Sequence, residues 1–254
     1  MSSEIMVQAN NITKFYGEYP AISDVSFTAN KGEIIGFLGP NGSGKTTTMR
    51  ILTGYMPASS GDATIAGYDV ANQSLEAKQH VGYLPENAPL YTDMKVNEYL
   101  TFTGKIRGMT KTAIKSRLDE VIEICRLQEY KNTIIGKLSK GFRQRVGIAQ
   151  AIIHQPDVLI LDEPTIGIDP IQVVETRSLI KEIGGDSTII LSSHILPEVS
   201  AICERVIIIN DGEIVAVDSP DNLSNRLEAT ERIRIEALGK TSDMVSVFRN
   251  NPSV

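Results

Sequence analysis

Only two cysteines, Cys125 and Cys203, occur in 254 residues, so a disulfide framework is excluded and a reducing compartment fits. A basic excess is missing as well: Lys and Arg total 25 against 31 Asp and Glu, a formal charge of −6. A nucleic-acid groove calls for a basic stripe, so no nucleic-acid partner is expected. Long hydrophobic runs are absent. The apolar stretches Ile34–Leu38, Val158–Leu161 and 206–209 fall far short of the roughly 20 residues that cross a bilayer. The opening MSSEIMVQAN has no charged stretch followed by an apolar core, so no secretory signal is read there. Internal repeats and low-complexity tracts are lacking too. These absences describe a soluble, cytosolic chain, long enough for one large domain or two small ones.

What is present is an alternation of strand and helix signals. Residues 5–9, 24–29 and 33–38 read as strands, with a turn at Asn30-Lys31-Gly32. Residues 45–53 read as a helix stopped at Gly54, and 62–66 and 81–84 as further strands. From about 95 to 155 the pattern turns helical. Ile114, Leu118, Val121, Ile122 and Cys125 fall on one face of an amphipathic helix, which makes Cys125 a packed core thiol. Residues 158–161 and 188–192 form bare apolar strands of the kind buried in a parallel sheet. Asp169-Pro170 reads as a helix cap followed by proline at the first position, and 197–204 as another helix. Residues 205–210 and 213–217 flank Asp211-Gly212 as a hairpin, and 232–237 alternate.

Two stretches suggest phosphate chemistry. GPNGSGKT at 39–46 matches G-x-x-x-x-G-K-[ST] between a strand and a helix. Gly39, Pro40, Asn41, Gly42, Ser43 and Gly44 supply a loop whose N–H groups turn around phosphates, helped by the helix N-terminus that follows. Lys45 reaches the β- and γ-phosphates, Thr46 offers a hydroxyl to Mg²⁺, and Thr47 joins the cradle. LILDEP at 159–164 ends an apolar strand in two carboxylates at the edge where open α/β sheets bind ligands. Asp162 is read as a Mg²⁺ ligand and Glu163 as the base for an attacking water.

With LSKGFRQR at 138–145, the chain resembles the nucleotide-binding subunit of an ATP-binding cassette (ABC) transporter from about residue 5 to residue 220. The resemblance implies a P-loop NTPase (RecA-like) α/β core with an N-terminal antiparallel β-subdomain and an α-helical subdomain inserted at about 92–155. It implies an ABC ATPase domain over 1–220 and a short C-terminal extension over 221–254, where either the member is short or the chain is truncated. In the family, the signature LSGGQxQR binds the γ-phosphate of ATP held by a partner's P-loop, so Ser139 and Gly141 would complete the site of another copy. His194 resembles the switch histidine that contacts the γ-phosphate, Asp169 the D-loop acid, and Tyr16 the aromatic that stacks on adenine, with Phe15 its neighbour in competition. His80 and His154 match nothing and read as structural.

Three positions depart from the family pattern. Lys140 and Phe142 replace the usual Gly and Gln, and an extra cation facing a triphosphate is tolerable. Glu86, after Gly-Tyr-Leu-Pro, stands where Gln is usual; a carboxylate still suits Mg²⁺. It adds a third negative charge near Asp162 and Glu163, and two such charges about 4 Å apart repel by about 4 kcal/mol at an effective dielectric of 20. Leu-Pro-Glu with the Ser-Lys-Gly signature is most similar to the ABC type-2 exporter group, and YLPENAPLY to its gliding-motility members. The resemblance implies an ATPase with ATP and Mg²⁺ as cofactors. Its partners would be a second copy arranged head to tail and a transmembrane permease, with the chain peripheral on the inner face of the cell membrane. A soluble ABC ATPase acting on DNA or ribosomes is the alternative, and a nonhydrolytic nucleotide-gated regulator a further one.

Overall fold

A computed structural model describes residues 4–185 and 187–223. The chain opens with two long antiparallel strands, β1 (Ile5–Tyr16) and β2 (Tyr19–Asn30). The sequence pattern marks only part of each. The register shifts between Ala9 and Ile12 and again by Lys14, and Asn11 and Asp24 adopt φ of 47° and 49°. Each bulge resets which face a side chain takes, so the two-residue alternation is lost there although the pairing continues. With β4 (Ser60–Ile65) and β5 (Tyr68–Asp69) these strands make an antiparallel sheet in the order β2-β1-β4-β5.

The second sheet contains β3 (Ile34–Leu38), β6 (Val81–Leu84), β7 (Val158–Leu161), β8 (Thr188–Ser193), β9 (Arg205–Asn210) and β10 (Glu213–Asp218), in the order β10-β9-β3-β8-β7-β6. All pairs are parallel except the β9–β10 hairpin. Asp211 (φ 48°) and Gly212 (φ 83°) form its tip, as the Asp-Gly pair predicts. Every residue of β7 and β8 is buried, which explains their bare apolar sequence. The main core joins the two sheets: Phe27 and Phe37 meet edge to face at 4.9 Å among Ile12, Ile22, Leu52, Ile65, Ile160 and Ile207.

Helices cover the sheet and form the insertion. They are α1 (Lys45–Leu52), α2 (Ser74–Gln79), α3 (Val96–Ile106), α4 (Lys111–Ile124), α5 (Lys140–Ile152), α6 (Pro170–Ile183) and α7 (Leu196–Ser200). α3 to α5 lie between β6 and β7. On α4, Ile114, Val121 and Ile122 are buried, as is Cys125 at its end, and burial pushes the Cys125 thiol up to about 12. Asp169 caps α6 by accepting from the Gln172 N–H at 3.0 Å, with Pro170 in the first position. α7 is shorter than the predicted 197–204. By Glu204 the backbone N–H already donates to Ile34 O at 3.0 Å, committing the chain to the sheet.

His80 pairs with Asp157 at 2.6 Å and stacks on Tyr68, while His154 Nε2 lies 3.1 Å from Val81 O. Both thus serve packing. The first compact unit runs to Asp221. The alternating 232–237 run lies outside the described residues.

Candidate active site

The parallel register aligns the C-terminal ends of β3, β7 and β8. Leu161 pairs with Leu191, Leu38 with Ser193, and Gly39 N–H donates to Ser193 O at 3.3 Å. The loops leaving these ends carry residues 39–46, Asp162-Glu163 and His194, so chain segments more than a hundred residues apart converge at one edge.

The 39–44 loop turns through Gly42 and Gly44, and Gly44 (φ 106°) hands the chain to α1 without a side-chain cap. The first N–H groups of α1 therefore stay available for an anion. Lys45 folds back over the loop. Its Nζ donates to Gly39 O at 2.8 Å and Pro40 O at 3.1 Å, and lies 3.4 Å from Glu163 Oε1. Lys45 and Glu163 are both about 5% exposed, so this ion pair sits largely out of water.

Asp162 is fully buried. Its Oδ1 accepts from Ser192 Oγ at 2.6 Å, and Ser192 Oγ accepts from the Glu163 N–H at 2.9 Å. A single hydroxyl on β8 therefore holds the Asp162 carboxylate and the Glu163 backbone N–H just past the end of β7. Glu163 takes φ 48°, and this turn brings its Oε2 to 3.0 Å from His194 Nδ1. Behind them, Glu198 accepts from Thr165 Oγ1 at 2.6 Å and Ser193 Oγ at 3.1 Å, with Arg177 at 3.5 Å. Sequence reasoning missed Ser192 and this Glu198 group. The only signal was two serines ending an otherwise apolar strand.

A cleft of about 240 Å³ opens over the loop, lined by Asn41, Gly42, Gly44, Lys45, Thr46, Thr47, Glu86 and Glu163, with Ala21 and Ile166. Around the loop, the buried Ser43 Oγ, Asp162 Oδ2 and Glu163 Oε1 make no hydrogen bond, Glu163 Oε1 having the Lys45 ion pair instead. Unpaired buried oxygens carry a desolvation cost, and phosphate with a hard cation would satisfy such a donor and acceptor set. Among the described residues no group of three or more His, Cys, Asp or Glu could hold a metal by itself. A cation there would need hydroxyl, water or phosphate oxygens too.

The remaining predicted residues stand apart from this cleft. Tyr16 is exposed at the end of β1, its hydroxyl 3.2 Å from Met56 Sδ and its ring 5.9 Å from Lys14 Nζ. Ser139 caps α5 by accepting from the Phe142 N–H at 3.3 Å, and Gly141 packs against α6. None of 138–145 lines the P-loop cleft. The two departures in that segment face their own chain. Lys140, expected to face a triphosphate, lies against Gly167. Phe142 packs on Tyr130 at 4.1 Å with the Arg145 guanidinium 5.2 Å from its ring.

The ABC transporter family pattern matches residues 22–166. The chain belongs to this family. As an ABC ATPase it is an ATP-binding, ATP-hydrolysing subunit of the transporter type. It is 38% identical over 248 residues to the linearmycin resistance ATP-binding protein LnrL of Bacillus subtilis, covering 96% of this chain and 79% of that one. It is 38% identical over 223 residues to the bacitracin transport ATP-binding protein BcrA of Bacillus licheniformis, covering 87% and 72%. Among solved structures, the ATP-binding subunit of an ABC transporter superimposes with a TM-score of 0.79 at 25% identity, over 97% of this chain and all of that one. The ATP-binding cassette MJ0796, dimeric in a post-hydrolysis state with ADP and Pi, shares the fold at a TM-score of 0.76 and 23% identity, over 85% and 99%. Among the described residues no helix is long and apolar enough to cross a membrane.

Proposed function

We propose that two copies of this ABC ATPase close head to tail around two ATP molecules and drive export through a membrane permease. The observation that carries this reading is the separation of the two phosphate-binding segments: the P-loop cleft takes Lys45, Thr46, Glu86 and Glu163 but nothing from 138–145. Ser139 and Gly141 of a second copy then complete each site, and Tyr16 stacks on the adenine. Gly39 to Thr47 cradle the triphosphate through their backbone. Lys45 leaves its two carbonyl partners and Glu163 for the β- and γ-phosphates.

Glu163, released from Lys45 but still held by His194, accepts a proton from the attacking water at its free Oε1. His194 orients that water and the Glu163 carboxylate. Thr46, Asp162 and Glu86 are the oxygen donors suited to Mg²⁺, which when bound supplies charge opposing the triphosphate oxygens. Glu86 lies at the cleft wall, and the permease docks beside it, holding the ATPase at the inner face of the membrane. Export is the direction favoured by the similarity to proteins of linearmycin resistance and bacitracin transport.

Glu163→Gln tests the whole scheme. It should bind ATP, run as a dimer on size exclusion with ATP, and turn over about 10²–10⁴-fold more slowly, as expected for loss of a general base. Wild-type turnover in that variant would refute it.

A further inference from the structure

The starts of α5 and α6 are keyed together at three points. The Gln172 carboxamide lies over Gly141 so closely that a Cβ on Gly141 would overlap it. Lys140 presses its ammonium against Gly167, in the turn before α6. A Cβ at Gly167 would collide with Nζ, and φ of +67° favours glycine there as well. One turn deeper, the buried Arg145 guanidinium pairs with Glu175 of α6. Gln172 is itself anchored, because its N–H donates to Asp169 Oδ1 at 3.0 Å.

These contacts fall on the residues that the dimer reading sends across to the other copy. Ser139 and Gly141 present backbone and hydroxyl, and Gly141 has no side chain of its own to hold its orientation. The Gln172 amide fills the space that glycine leaves and ties it to the 167–170 turn. We propose that Gln172, with Lys140, is a positioning residue that holds the 138–145 segment in register with the 167–170 turn, so that Ser139 and Gly141 meet the nucleotide of the second copy already ordered. The proposal rests on the dimer reading above. Its physical basis is preorganisation: a half-site already ordered in each copy loses less freedom when the dimer closes. Neither Gln172 nor Lys140 lines the P-loop cleft of its own copy. Their loss should therefore act on turnover and closure and leave ATP capture by the single copy intact.

The test is a double-mutant cycle on the full chain, with fluorescent ATP-analogue binding, phosphate release and melting temperature as readouts. Gln172→Ala should keep the nucleotide Kd within about twofold and lower kcat about tenfold, the pattern of an interaction made only in the assembled site. In a Glu163→Gln background it should raise the ATP concentration needed for dimerisation by about tenfold. Gly141→Ala forces the Gln172 amide aside and should lower kcat further. Adding Gln172→Ala to it should restore part of that loss, since the two changes act on one contact. Lys140→Arg should retain turnover that Lys140→Ala loses. Wild-type kcat in Gln172→Ala, or additive losses in the double variant, would overturn the proposal while ATP-driven dimerisation of Glu163→Gln still stands. A simple packing role is exposed by a lower melting temperature with no suppression in the double variant, which also overturns it. A Glu163→Gln protein that stays monomeric with ATP refutes the dimer reading and this proposal with it.

Discussion

His194 Nδ1 lies 3.0 Å from Glu163 Oε2, while the other oxygen of the same carboxylate lies 3.4 Å from Lys45 Nζ. One buried carboxylate is thus shared between the P-loop and the loop after β8. His194→Ala should leave ATP binding near wild type and lower kcat, on the order of 10²-fold for a group that orients a base and its water. Comparing Kd for ATP with single-turnover phosphate release checks this. Equal losses in binding and turnover would place His194 outside the chemical step.

Ser192 is the residue whose removal should do most damage per atom lost. Ser192→Ala deletes one hydroxyl that donates to Asp162 and accepts from the Glu163 N–H. Two buried polar groups then lose their partner, at a cost of about 1–3 kcal/mol each. Urea unfolding should shift accordingly, and kcat should fall while the P-loop still binds ATP. Ser192→Thr, which keeps the hydroxyl, should recover much of the turnover.

Glu86 shares the cleft wall with Thr46 and Glu163. A carboxylate there draws in a divalent cation more strongly than an amide does. Glu86→Gln should therefore need a higher Mg²⁺ concentration for half-maximal ATPase activity, by several-fold. Superimposable Mg²⁺ titrations of the two proteins would remove Glu86 from the proposed ligand set.

His154 supplies a pH dependence of stability. Burial, reinforced by the Arg107 charge, lowers its pKa from 6.5 to about 4. The unfolded chain then binds more protons than the folded one between these values, so stability rises with pH across that window. The contribution is complete above pH 6.5 and is lost as pH falls toward about 4. A shift of this size corresponds to roughly 3 kcal/mol. His154→Gln, which can still donate to Val81 O, should flatten the denaturant midpoint between pH 7 and pH 4.5. An unchanged slope would show that other groups carry it.

Much of the candidate site was legible because the residue patterns that propose it are local. A glycine loop between a strand and a helix offers N–H groups wherever that sequence folds, and an apolar strand ending in Asp-Glu needs no distant partner to be recognised. Strand limits were less legible in β1 and β2, because bulges at Asn11 and Asp24 interrupt the period that marks a strand. Ser192 was invisible as a functional residue, since its importance comes from the β7–β8 register that puts it beside Asp162.

The amino-acid sequence alone determined the family, the phosphate loop, most strands of the parallel sheet, and the candidate acids and histidine. Each of those depends on a few adjacent residues or on a simple period. Tertiary structure decided that Lys45 reaches Glu163, that Ser192 ties the Asp162 carboxylate to the Glu163 backbone N–H, and that Lys140 lies against Gly167. These are contacts between residues up to about 120 positions apart, set by parallel pairing and by the packing of α5 on α6, and no local pattern encodes them.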